Sequence, residues 1–260
     1  MPAHLDSEGR KVKTRNACAA AFCTLLVLAA IPARGQLIDF ESTPAGGIPV
    51  DNADLNAPYN LTGGGTVLFF FDLNLNNTFD GPVTDSLPVF ELAGNGDPNA
   101  GFTNAVTGIP DTANGGLGGQ LGSYFLRQLQ PGAPPPPFII DYNTATTITA
   151  LHGEIWDIDG TVSDTEQWRV EILDSANNVL TFLDSPLGDS SAGDGLPWDF
   201  VFSGLPAGVD KVRIKFTGTK TTGLGLAFNN FDPFNVPEPG TALLAGVGLA
   251  GLVSRRRRKS

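Results

Sequence analysis

Period-two alternation runs through the middle of the chain. In QWRVEIL, Trp168, Val170 and Ile172 fall on one side while Arg169 and Glu171 fall on the other, the pattern of a half-buried strand. KVRIKF repeats it, with Val212, Ile214 and Phe216 against Lys211, Arg213 and Lys215, and PWDFVF puts Trp198, Phe200 and Phe202 on one face. The same reading predicts strands at LIDFE (37–41), TVLFFF (66–71), YFLRQL (124–129), FIIDY (138–142), TTITALH (146–152), VLTFL (179–183) and LGLAF (224–228). Turn formers separate them, among them Asp159-Gly160 and Ala176-Asn177-Asn178. No long amphipathic helix interrupts the series. Many short strands with such punctuation predict an all-β fold, a two-sheet antiparallel sandwich wound as a jelly roll. Residues 94–120 are mostly Gly, Asn, Pro, Thr and Ala, and 130–137 holds five prolines. Both read as long loops of one domain.

The pattern changes at both ends. Arg10, Lys11, Lys13 and Arg15 precede an apolar run over 17–31, followed by Pro32, Ala33, Arg34 and Gly35. That order predicts a cleaved signal-peptide helix, with cleavage after Ala33 or Gly35 both compatible with the small residues there. A spanning helix needs about 20 apolar residues, more than this run supplies. At the other end Pro237-Glu238-Pro239 leads into an uncharged stretch over 240–254, then Arg255, Arg256, Arg257, Arg258 and Lys259. The stretch predicts a short transmembrane helix whose basic cluster stays cytoplasmic. The prolines hold Glu238 in extended backbone outside it. The chain therefore divides into a signal peptide (1–35), a β-sandwich domain (36–235) and a tail (236–260).

Charge sharpens the picture. Of 16 Lys+Arg and 27 Asp+Glu, the body from Gln36 to Asn235 holds six and 24. So acidic a body repels nucleic acid and suits divalent cations. Both cysteines, Cys18 and Cys23, lie in the N-terminal apolar run, so no disulfide staples the body.

Catalytic groups are sparse. His152 is the body's one histidine, and Glu154 and Asp157 point to opposite faces of a strand, so the carboxyl pair of a glycosidase is not formed by them. The expectation is a protein that is not an enzyme. DLNLNNTFDG has 1-3-5 spacing at Asp72, Asn74 and Asn76, but no Gly at the sixth position and no acid at the twelfth of a calcium loop, and reads as an Asx-rich turn. WDIDGTVSDTE (156–166) reads as a solvated hairpin loop. Trp168 and Trp198 share faces with apolar residues and belong to the core. Trp156, Tyr59 and Tyr142 are the aromatics that could stack on a sugar ring.

The C-terminal residues Val236, Pro237, Glu238 and Pro239, the short apolar span and the basic cluster resemble the PEP-CTERM sorting signal. The resemblance implies passage through signal peptidase and the export machinery, then recognition by an exosortase-type membrane protease. It also implies a transient inner-membrane anchor, delivery to the cell surface or the extracellular space, and bacteria that build exopolysaccharide matrices. The LIDFE opening and the closing LAFNNFDPF are similar to jelly-roll, galactose-binding-like domains found ahead of such tails, a shape shared with carbohydrate-binding modules. In those domains a structural calcium ties the first strand to the last, which implies a calcium site at Asp39, Glu41, Asn229, Asn230 and Asp232. Asp39 and Glu41, two apart on a strand, would share a face. The chain departs from the relatives' Asp-Asn-Phe by having Asn229-Asn230-Phe231. The function expected is that of an exported, non-enzymatic surface or matrix protein; the alternative is a carbohydrate-binding module for exopolysaccharide.

Overall fold

The computed structural model describes residues 36–234, apart from 63, 96–102, 105–108, 111, 129–133, 145–146 and 189–194. The expected signal peptide, the tail and the expected helices of both lie outside the described residues. Among the described residues fifteen strands follow in order: β1 (Tyr59–Asn60), β2 (Thr66–Phe71), β3 (Val89–Leu92), β4 (Thr103–Asn104), β5 (Ile109–Pro110), β6 (Tyr124–Arg127), β7 (Phe138–Asn143), β8 (Ala150–Trp156), β9 (Gly160–Thr161), β10 (Asp164–Thr165), β11 (Trp168–Leu173), β12 (Val179–Asp184), β13 (Pro197–Ser203), β14 (Lys211–Phe216) and β15 (Ala227–Phe234). The helix α1 (Gly118–Leu121) is a single turn.

Strands β1-β2-β7-β14-β11-β12 form a six-stranded sheet and β13-β8-β15-β6-β3 a five-stranded one. The pairings within both are antiparallel. From β6 onward the chain passes from sheet to sheet at almost every step, β6 to β7 to β8 to β11 and again β12 to β13 to β14 to β15. That winding is the jelly roll the alternation predicted. It follows from the pattern, because each sheet has one apolar face and the two faces must bury against each other. Trp168, Val170 and Ile172 are all in the core, as are Val212, Ile214, Phe200 and Phe202.

The core is rich in phenylalanine. Phe69 packs edge-on to Phe231 at 5.7 Å between centroids and stacks with Phe138 at 6.1 Å, while Phe228 stacks with Phe200 at 6.3 Å. Each such ring taken out of water contributes about 1.5–3 kcal/mol. A second, smaller apolar cluster of Leu121, Phe125, Trp156 and Ala227 lies apart from it. Trp156 and Ile155 alternate on β8, so this cluster belongs to the outer face of the five-stranded sheet, where Leu117 and Ala113 pack over it. The strands lie within one compact unit, residues 35–235.

Three expectations are corrected. LIDFE is not a strand: Ile38 makes one bridge to Phe231, and Phe40 takes a left-handed φ of 58° that breaks extended geometry. Of TTITALH, the part from Ala150 is strand, as the start of β8. The last strand begins at Ala227 rather than Leu224 and runs on to Phe234 through a bulge between Asn229 and Asp232.

Candidate functional site

The opening segment and the last strand do meet. Ile38 and Phe231 exchange backbone bonds of 2.7 and 2.9 Å. The turn at the exit of α1 holds the junction together. Glu41 Oε1 accepts the backbone N–H groups of Ser123 (2.5 Å) and Tyr124 (3.0 Å). Gly122 takes φ 74°, the left-handed region that favours glycine, and a Cβ there would also push the Glu41 carboxylate from its place. From β15, Asn229 Nδ2 donates to the Leu121 carbonyl at 2.6 Å and Asn230 Nδ2 to the Gln120 carbonyl at 2.8 Å.

The residues expected to hold calcium make contacts of their own. With Phe40 left-handed, Asp39 turns back and its Oδ1 accepts the Glu41 N–H at 3.2 Å, so the two carboxylates do not line one strand face. Glu41 is engaged by backbone amides, and Asp232 lies opposite His152 on β8. Glu41, Asn229 and Asn230 converge on residues 120–124. Backbone hydrogen bonds between Ile38 and Phe231 tie the opening segment to the last strand.

A different constellation forms beside it. The register of β13-β8-β15 sets Asp199 opposite Glu154 and Glu154 opposite Asn229, with His152 two residues along β8 on the same face. One donor atom each from His152, Glu154 and Asp199 lie within 4.8 Å of one another. His152 Nε2 stands 3.7 Å from Asp199 Oδ1. Glu154 is 3% exposed. Its Oε1 accepts Gln120 Nε2 at 2.9 Å, and its Oε2 accepts Trp156 Nε1 at 3.1 Å and Asn230 Nδ2 at 2.9 Å. Burial raises its pKa above the ordinary carboxylate value; the bonds from Gln120 and Asn230 oppose that, and the charge of Asp199 adds to it. Sequence reasoning sets Glu154 against Asp157, its neighbour along the chain. The true neighbour comes from β13, and register between distant strands leaves no mark in a single sequence.

The three aromatics named for sugar stacking are buried. Trp156 is 1%, Tyr59 6% and Tyr142 5% exposed, so none presents a ring face to a ligand. Trp156 closes the outer apolar cluster, Tyr59 donates to the Ser42 carbonyl, and Tyr142 packs against Phe231. Asp72 forms the Asx turn expected of it, its carboxylate accepting the N–H groups of Asn76 and Asn77. The acids of 156–166 are less solvated than a plain hairpin tip. Lys220 pairs with Asp159 and with Glu166, and Trp168 Nε1 donates to Glu166 at 2.7 Å. Glu166 is 2% exposed, and burial pushes its pKa up to about 8 against the pull of Lys220.

Residues 235–258 match the PEP-CTERM protein-sorting motif. The chain thus carries the signal of exported proteins sorted at their C-terminus, and the motif implies an exosortase-type membrane protease and the export machinery as partners. Among curated proteins none matches this sequence. The K2 cleaved adhesin domain of Lys-gingipain is similar in structure, at 12% identity over 78% of this chain and 98% of that one, with a TM-score of 0.39. A DUF4465 family protein from Bacteroides caccae gives 12% identity, 77% and 97% coverage and a TM-score of 0.38. The K3 cleaved adhesin domain from Porphyromonas gingivalis gives 15%, 55% and 88%, and 0.32. Among the described residues no helix is long and apolar enough to cross a membrane.

Proposed function

We propose that the chain is a non-enzymatic surface or matrix protein, delivered to the cell surface when its tail is cut beside Pro237-Glu238-Pro239. The carrying observation is the motif match at 235–258, which follows directly on a folded β-sandwich. The body's role in this reading is passive. A rigid, strongly acidic sandwich without cysteine folds without redox chemistry and stays soluble outside the cell. The tail does the sorting work: in this reading the basic cluster at 255–259 stays on the cytoplasmic side of the membrane while the protease acts at Pro237-Glu238-Pro239.

The non-enzymatic part draws on the state of Glu154, the residue nearest to a catalytic acid. It is buried and tied to three neutral donors, which suits packing better than proton transfer to a substrate. Replacing Glu238 by Ala in a host that carries the processing machinery tests the reading. The variant is expected to remain in the inner-membrane fraction with its tail uncut, while the parent chain reaches the surface. Equal surface delivery of both would overturn it.

A further inference from the structure

The outer face of the five-stranded sheet carries a group of side chains that sorting does not use. We propose that His152, Glu154 and Asp199 form a binding site for a divalent first-row transition cation such as zinc, with the Asn229 amide oxygen beside them. One imidazole and two carboxylates make a mixed nitrogen and oxygen donor set, which suits zinc and its neighbours rather than an all-oxygen calcium shell.

Four observations on this face support it. The donor atoms of the three residues lie within 4.8 Å of one another, and His152 Nε2 sits 3.7 Å from Asp199 Oδ1. That gap is too long for a hydrogen bond, whereas donors sharing a tetrahedral ion at bonds of about 2.0–2.1 Å stand about 3.4 Å apart. Glu154 has an acceptor direction to spare: a carboxylate offers about four, and Gln120, Trp156 and Asn230 use three. Its charge is also poorly compensated. The three donors are neutral, among the described residues no lysine or arginine pairs with it, and Asp199 adds a second negative charge beside it. Buried charge of this kind calls for a cation.

The fourth observation is independent of the acids. Asn229 is 1% exposed, lies directly opposite Glu154 across β8 and β15, and its Oδ1 is buried without a hydrogen-bond partner. A buried acceptor left without a partner is costly, and an ion bound against Glu154 would offer it one. Asp199 and His152 sit toward solvent, with side chains 54% and 26% exposed, so an ion can enter from their side and both can adjust to it.

Calorimetric titration of the purified full-length chain with zinc chloride tests the site, with His152→Ala and Asp199→Asn as partly exposed variants whose folding is checked by circular dichroism. The expected result is one saturable site that weakens at least about 10-fold in each variant, the scale of losing a contact in a metal site. Cobalt chloride should give a visible absorption band that zinc abolishes and His152→Ala lacks. Zinc binding that is absent, or that is as tight in both variants as in the parent chain, would overturn the proposal. So would calcium binding at the same site with no dependence on His152.

Discussion

At the scale of single residues, the buried charges carry the sharpest consequences. Glu91 on β3 and Arg127 on β6 form an ion pair with both side chains fully buried, and Arg127 Nη2 also donates to Asn52 at 2.6 Å. Removing one partner strands the other in a medium of low dielectric. Glu91→Ala should therefore cost about 3–5 kcal/mol in urea unfolding, while the apolar double variant E91L/R127M should cost clearly less than either single loss. Equal or additive losses would contradict that. Glu166 makes a pH prediction. The folded chain holds its proton more tightly than the unfolded chain, from an ordinary value of 4.5 up to about 8. The stability it contributes is present below about pH 4.5 and is lost as pH rises to about 8. Burial works against the charge of Lys220, but its bond to Asp159 and its pairing with Glu166 outweigh that and raise its pKa, so Lys220 does not titrate in this window. The melting temperature should fall between pH 5.5 and 8, and Glu166→Gln, which can still accept from Trp168, should flatten that fall. A variant with an unchanged slope would exclude Glu166 as its source.

At the scale of elements, the fold was legible wherever the alternation was clean. β11, β13 and β14 sit where QWRVEIL, PWDFVF and KVRIKF put them, because burial of one face dictates both the extended geometry and the spacing of the apolar residues. The opening segment misled because LIDFE alternates too, yet Phe40 reaches its place among Tyr59, Phe69 and Phe228 by adopting a left-handed backbone. Tertiary packing overrode the local pattern there. What the sequence could not show was register: His152, Glu154, Asp199 and Asn229 become neighbours only through the β13-β8-β15 pairing. The same pairing explains Gly153. It faces the core between the two sheets, and a Cβ there would meet the Phe200 ring at 2.5 Å. Gly153→Ala should cost about 1–3 kcal/mol from overpacking, read by chemical denaturation. A neutral effect would mean that Phe200 has room to move.

At the scale of the whole molecule, the body and the ends divide the labour. The sandwich needs no disulfide because the two apolar sheet faces and a phenylalanine-rich centre close on each other. The C-terminal end carries sorting information, readable in the sequence because it is written in local order, Pro-Glu-Pro, apolar, basic; the proposed signal peptide rests on the same kind of order, basic, apolar, small. Intact-mass analysis of the protein recovered from its native host, fraction by fraction, tests the central claim most directly. The account predicts a surface or secreted species that begins near Gln36 and ends near Glu238. A membrane-bound species that still carries Arg255, Arg256, Arg257, Arg258 and Lys259, with no shorter form outside the cell, would contradict it.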